Sequence, residues 1–111
     1  MGEFADLLVR IEAACSRAVC RGRDERLAAE IEDLLAEGYI EALRAESRSS
    51  RLRARLDEIV DSIDEPEAAV EARKLALERH TIDRRVRVLR SRLQVMRSHF
   101  VRLNGGRSAA S

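Results

Sequence analysis

The sequence predicts an all-α protein: a long antiparallel coiled-coil hairpin with a short N-terminal helix packed on its base, so that one end is a three-helix bundle. Three observations lead there. Of 111 residues, 21 are Lys or Arg and 20 are Asp or Glu, while the aromatics are only Phe4, Tyr39 and Phe100 and the single proline is Pro66. That composition lacks the turn residues and the β-branched or aromatic runs that a multi-stranded sheet requires, and it matches the Ala, Glu, Leu and Arg makeup of long helices. The second observation is an apolar pattern that recurs in heptads. The third is a pair of helix breakers, one near Gly22 and one at Pro66, that divide the chain into one short and two long segments.

The first helix is expected over about residues 3–21, with Phe4, Leu7, Leu8, Ile11, Ala14, Cys15, Ala18 and Val19 on one stripe. Gly22 is the expected C-cap and Asp24 the N-cap of the next helix. That second helix reads without a breaker over about 24–63, and Gly38 within it costs about 1 kcal/mol relative to Ala. Asp64-Glu65-Pro66-Glu67 is the turn, with Asp64 as cap, Pro66 in the first helical turn and Glu67 completing a spacing like that of a capping box. The third helix is expected over about 66–103, ending at Asn104-Gly105-Gly106. The chain thus reads as one helical domain, 1–104, followed by a flexible tail, 105–111.

The period of the long helices is that of a coiled coil. Ala28, Leu35, Ala42, Ser49, Leu56 and Ile63 recur every seventh residue, and Ile31, Gly38, Ala45, Leu52 and Ile59 form the complementary series. In the third helix Ile82, Val86, Leu89, Leu93, Met96, Phe100 and Leu103 alternate in steps of four and three. Such a seam requires a facing helix, and the short connection at Asp64-Glu65 makes the neighbour in the same chain the antiparallel partner. Folding the hairpin there sets Glu41 against Arg85, Arg48 against Glu78, Arg55 against Glu71 and Glu32 against Arg97, with Glu46 facing Asp83 as the one like-charged pair. These pairs select the register rather than supply stability.

The first helix is long enough to cover only the base. Its stripe is expected against Leu27, Leu34, Val88 and Val95, and Gly38, Ala42 and Ala45 would allow close helix approach. Above that lies a polar layer in which Arg79 occupies a core-type position opposite Ser49 and Ser50 and is expected to snorkel outward. Val60, Val70 and Leu77 are apolar residues that a two-helix seam does not use, which points to a second copy or a helical protein partner.

The chemistry-bearing residues are sparse. Cys15 and Cys20 are five apart on one helix, so they face different directions, and with His99 they match no zinc-ligand spacing. No catalytic constellation, metal site or cofactor is expected, and the chain reads as non-enzymatic. Glu3 and Asp6 interrupt any secretory h-region, and no apolar run is long enough for a bilayer, so a cytoplasmic location without membrane contact is the expectation. Residues 67–111 carry eleven basic and four acidic side chains and residues 1–46 carry six and eleven, an asymmetry that antiparallel pairing would neutralise. Arg84, Arg87 and Arg102 remain candidate phosphate contacts, although stacking aromatics are lacking. Asp61, Asp64, Glu65 and Glu67, with Asp57 and Glu58, crowd the hairpin tip. By analogy with bacterial transcript-cleavage factors, which present acids at a coiled-coil tip to an RNA-polymerase channel, this tip implies a regulator of a nucleic-acid machine; no family motif is matched residue by residue. The favoured expectation is a helical interaction or assembly module.

Overall fold

The computed structural model describes residues 2–62 and 64–105. It contains α1 (Gly2–Val19), α2 (Glu25–Ile59), a single 3-10 turn (Val60–Ser62) and α3 (Pro66–Leu103), with no strand among the described residues. The all-α helical hairpin read from the sequence is therefore the fold. The second helix leaves α-geometry at Ile59, a few residues before the expected end near 63; Ile63 lies outside the described residues, as does the chain from 106 onward.

The chain forms two compact units. One comprises residues up to Glu41 together with those from Leu89 onward, and the other comprises Ala42–Val88. In the first, three helical segments share a core of Leu7, Ile11, Ala14 and Ala18 from α1, Leu27, Ala28, Ile31, Leu34 and Leu35 from α2, and Leu89, Leu93, Met96 and Leu103 from α3. These are seam residues of the heptad series, the α1 stripe, and Leu27 and Leu34, which were expected to meet that stripe. Gly38 is buried against Leu93: a methyl group at Gly38 would collide with Leu93 Cδ2 and stand 3.3 Å from its Cδ1 and Cγ. Here the absence of a side chain is what permits the close approach of α2 and α3.

The cover that α1 provides differs in detail from the expectation. Leu27 and Leu34 are buried, but Val88 and Val95 are 45% and 47% exposed, and Val19 is 65% exposed. Val95 stands next to Met96, which is completely buried. One residue on an α-helix is a turn of about 100°, so a helix that sends Met96 inward rotates Val95 toward its rim.

The helix ends also differ from the sequence reading in two places. Asp24 is the N-cap of α2 as expected: its carbonyl accepts from the Ala28 N–H at 2.9 Å and its carboxylate Oδ1 accepts from the Leu27 N–H at 3.0 Å. At the tip, however, it is Glu65 whose carbonyl accepts from Ala69 N–H at 3.0 Å, so Glu65 and not Asp64 holds the N-cap position, with Pro66 at the first helical residue where its missing N–H is harmless. Gly22 does not adopt the left-handed conformation of a C-cap glycine; among the described residues only Gly105, with φ of 70°, has positive φ. The C-terminus of α1 is satisfied instead by Arg102 of α3, whose guanidinium donates to the carbonyls of Arg21 and, at 2.6 Å, Ala18, and contacts His99 Nδ1 at 2.8 Å. A cation at a helix C-terminus also opposes the negative end of the helix dipole.

The Asp24 cap has a pH signature. The Leu27 N–H bond, assisted by the ion pair with Arg21, holds its carboxyl below the usual aspartate value. A depressed folded-state pKa means stability that is present above the unfolded-state value and is lost as pH falls through the folded-state value. Asp24→Ala is therefore expected to lower the thermal midpoint at neutral pH, while the gap from wild type narrows in acid. Asp24→Asn, which keeps a cap acceptor, should lose less. Thermal melts followed by circular dichroism across the acid range check both points. A gap independent of pH would show that the carboxylate's charge plays no part in the cap.

In the Ala42–Val88 unit, two helical segments run antiparallel. Arg55 donates to both carboxylate oxygens of Glu71 at 3.0 and 3.2 Å, and Arg48 pairs with Glu78, two of the register-setting pairs expected from the sequence. The seam is thinner than that of the three-helix unit. Ala42, Ser49, Ile59, Ile82 and Val86 are buried, whereas Ala45, Leu52, Leu56 and Leu75 are half-buried, as expected where no third helix covers the flank.

Candidate functional site

The surface that draws attention is the outer side of the two-helix unit. Val60, Val70 and Leu77, the residues singled out from the sequence, are 56%, 61% and 63% exposed. The structure adds Leu43, at 61%, and Val88 to the exposed large apolar residues of the same unit. Leu43 was missed in the sequence because it stands beside the seam residue Ala42. Its own turn places it away from the partner helix, a distinction that helical periodicity alone could have drawn.

The polar layer sits inside this unit and is more ordered than expected. The Arg79 side chain is about a third exposed and does not stand uncompensated. Its Nε donates to Ser49 Oγ at 3.3 Å, Ser49 Oγ donates to Asp83 Oδ1 at 2.8 Å, and Asp83 Oδ2 lies 3.8 Å from Arg79 Nε. Asp83 is one turn along the same helix, and so supplies the carboxylate that the sequence reading assigned to an unfavourable pairing with Glu46. Ser49 is the one buried polar residue among the described core.

The candidate phosphate contacts separate into two kinds. Arg102 is committed to the main chain of α1, as described above. Arg84 and Arg87 are exposed and take part in no ion pair among the described residues. The acids of the N-terminal half are used differently from the expectation: Glu30 and Glu37 of α2 pair with Arg17 and Arg10 of α1, not with α3. Those hydrogen bonds hold both carboxyls below the ordinary glutamate value. Across to α3, Glu12 of α1 meets Arg92 at 3.4 Å. At the tip, Asp61, Asp64, Glu65 and Glu67 are all exposed, with Asp57 on the last turn of α2 before them.

Two shallow depressions lie in the three-helix unit. One is lined by Ile11, Glu12, Cys15, Ser16, Arg92 and Val95, and the other by Arg17, Arg21, Asp24, Arg26, Leu27 and Glu30. Burial pushes the Cys15 thiol up, against the opposing effect of Arg92, which keeps it protonated and poorly nucleophilic at neutral pH. The second depression contains acids already paired with its own arginines. Cys20 is exposed, and both cysteines are free. Among the described residues no group of three or more His, Cys, Asp or Glu could hold a metal ion, and no helix is long and apolar enough to cross a membrane. No protein-family model, curated protein or solved structure matches this chain.

Proposed function

We propose that this chain is a non-catalytic helical interaction or assembly module that self-associates or binds a partner helix through its two-helix segment, in the cytoplasm. The observation that supports this reading is the exposure of Val60, Val70 and Leu77, each more than half open to solvent in a unit that holds only two helices. Exposed large apolar side chains in a helical hairpin lose their contact with water when another helix is laid on them, at about 25 cal/mol per Å² of apolar surface covered. The test compares wild type with Val60→Asp plus Leu77→Asp by sedimentation and pull-down. Loss of self-association or of a retained helical partner is the expected result, and unchanged association overturns the assignment of this face.

A second reading has its own support. Arg84 and Arg87 make no ion pair among the described residues, and Asp61, Asp64, Glu65 and Glu67 are exposed at the tip. Under that reading the chain regulates a nucleic-acid machine through its acidic tip or its basic α3 face. Binding to duplex DNA or RNA that falls steeply with salt, and falls again in Arg84→Ala plus Arg87→Ala, would favour it over assembly.

A further inference from the structure

The outer faces of the two helices in the Ala42–Val88 unit each carry a second heptad register, distinct from the internal seam. On α3, Val70, Lys74, Leu77, Thr81, Arg84 and Val88 alternate in steps of four and three, and all six are exposed. On α2, Leu43, Ser47, Ser50, Ala54 and Asp57 do the same, and all five are exposed. At about 100° per residue, each row lies roughly opposite its own helix's seam, the one containing Ile82 and Val86 on α3 and Ala42 and Ser49 on α2. Of the acids of α3, Glu71 and Glu78 are engaged by Arg55 and Arg48, and Asp83 by Ser49 and Arg79, while Glu67 stands exposed one step before Val70 in the first row. From Val70 onward the α3 row is thus apolar and cationic. The α2 row is small and polar, apolar at Leu43 and anionic at Asp57.

We infer that the occupant of the α3 outer face is the α2 outer face of a second copy of this chain, packed antiparallel. This rests on the assembly reading above and names its partner and its register. The argument is complementarity position by position. A register that sets Leu43 against Val88 also sets Ser47 against Arg84, Ser50 against Thr81, Ala54 against Leu77 and Asp57 against Lys74. Apolar meets apolar at Leu43 and anion meets cation at Asp57, beyond which Val70 lies past the end of the α2 row. Between them two hydroxyls face each other, a serine oxygen meets a guanidinium, and the largest exposed apolar side chain of the α3 row faces the smallest side chain of the α2 row. Each facing pair joins an a-type position to a d-type position, as antiparallel coiled coils require. At the flanking positions Glu71 and Glu78 are already held by Arg55 and Arg48, so the central row rather than the flanks selects the register.

A like-with-like contact fits less well. Two α3 outer faces packed antiparallel with Val70 against Val88 would set Lys74 against Arg84 twice, and unscreened like charges across an interface cost affinity. Two α2 faces would offer only one large apolar residue each, Leu43. The heterologous contact also has a consequence for the assembly. The two rows point in opposite directions from one unit, so a copy engaged through α3 still presents a free α2 face. Such contacts propagate instead of closing as a two-fold dimer.

The test is sedimentation velocity of the full chain from low micromolar to near-millimolar concentration, with circular dichroism to verify helicity of each variant. Asp57 and Lys74 are exposed and outside both cores, so their reversal leaves the fold intact. Wild type is expected to form a concentration-dependent series of species with no dimer end point. Asp57→Lys and Lys74→Glu are each expected to weaken association by about tenfold or more. An equimolar mixture of the two should restore it, because the introduced lysine of one copy then meets the introduced glutamate of the other. Failure of the mixture to restore association overturns the register. If both reversals associate like wild type while Val60→Asp plus Leu77→Asp abolishes association, the register falls and the assembly reading stands. Wild type that stays monomeric throughout overturns the second copy as occupant, and leaves the partner-helix reading to the pull-down. Duplex DNA binding that is lost in Lys74→Glu, without self-association, overturns it in favour of phosphate recognition.

Discussion

Leu93→Ala is expected to lower the unfolding free energy of the three-helix unit by roughly 2–5 kcal/mol, the range for deleting a buried Leu side chain and leaving part of its volume empty. Leu93 is completely buried, and it is the residue whose methyl groups fill the space above Gly38. Gly38→Ala alone should also destabilise. Its helix-propensity gain of about 1 kcal/mol is opposed by an overpacking cost of about 1–3 kcal/mol, because Leu93 has no open side to move into. Combined, the two substitutions should be far from additive, since the methyl group added at position 38 occupies space that Leu93 vacates. A coupling of about 0.5–3 kcal/mol, favouring the double variant, is the expected outcome of a double-mutant cycle measured by urea denaturation. Additive effects would show that Gly38 and Leu93 do not share one packing site.

Ser49→Leu combined with Arg79→Leu is expected to stabilise the two-helix unit by roughly 1–2 kcal/mol, because leucines bury apolar surface where Ser49 and the partly exposed Arg79 now stand. The pair stands in the seam between Leu52 and Leu56 on one side and Ala42 and Ala45 on the other, where leucine fits the heptad. Asp83 keeps water access, with its side chain 44% exposed, and so is not stranded by the loss of its two partners. Ser49→Leu alone should be much less favourable, because it removes the hydroxyl bridging Arg79 and Asp83 while leaving Arg79 in the seam. Hydrogen exchange across Ala42–Val88 measures the change. Faster exchange in the double variant would mean that the polar layer contributes stability of its own. The same layer fixes register, since a one-turn slip would leave Arg79 without Ser49. Gain in stability with loss of a single register is therefore the combined expectation.

Much of this molecule is legible in the chain itself. Ala28, Leu35, Ala42 and Ser49 of the heptad series are buried and Leu56 is half-buried, and the alternation from Ile82 to Leu103 is buried except for half-buried Phe100, because a seam defined by period can bury only one stripe of each helix. Asp24 caps as expected, since an Asp directly before a helical run has one favourable use for its carboxylate. The pairs Arg48–Glu78 and Arg55–Glu71 follow from the hairpin turn, because antiparallel geometry ties facing positions to the turn's location.

Other features depended on which groups three-dimensional packing brought within reach. Nothing local to Gly22 or Asp64 shows that Arg102, eighty-one residues beyond Arg21, would take over the end of α1, or that the turn would shift the cap to Glu65. The acids of the N-terminal half were expected to neutralise the last helix, whereas the position of α1 gave Glu30 and Glu37 to Arg17 and Arg10. Arg79 looked costly in sequence because opposing residues were read across the seam, whereas its carboxylate partner lay one turn along its own helix. The sequence by itself determined the helices, their antiparallel order and the stripe each one buries, because these follow from period, breakers and charge sign. Tertiary structure decided which polar groups met and which apolar residues stayed outside, because a side chain's partner depends on helix rotation and distance. That is how Leu43, Val88 and Val95 came to be open to solvent alongside Val60, Val70 and Leu77.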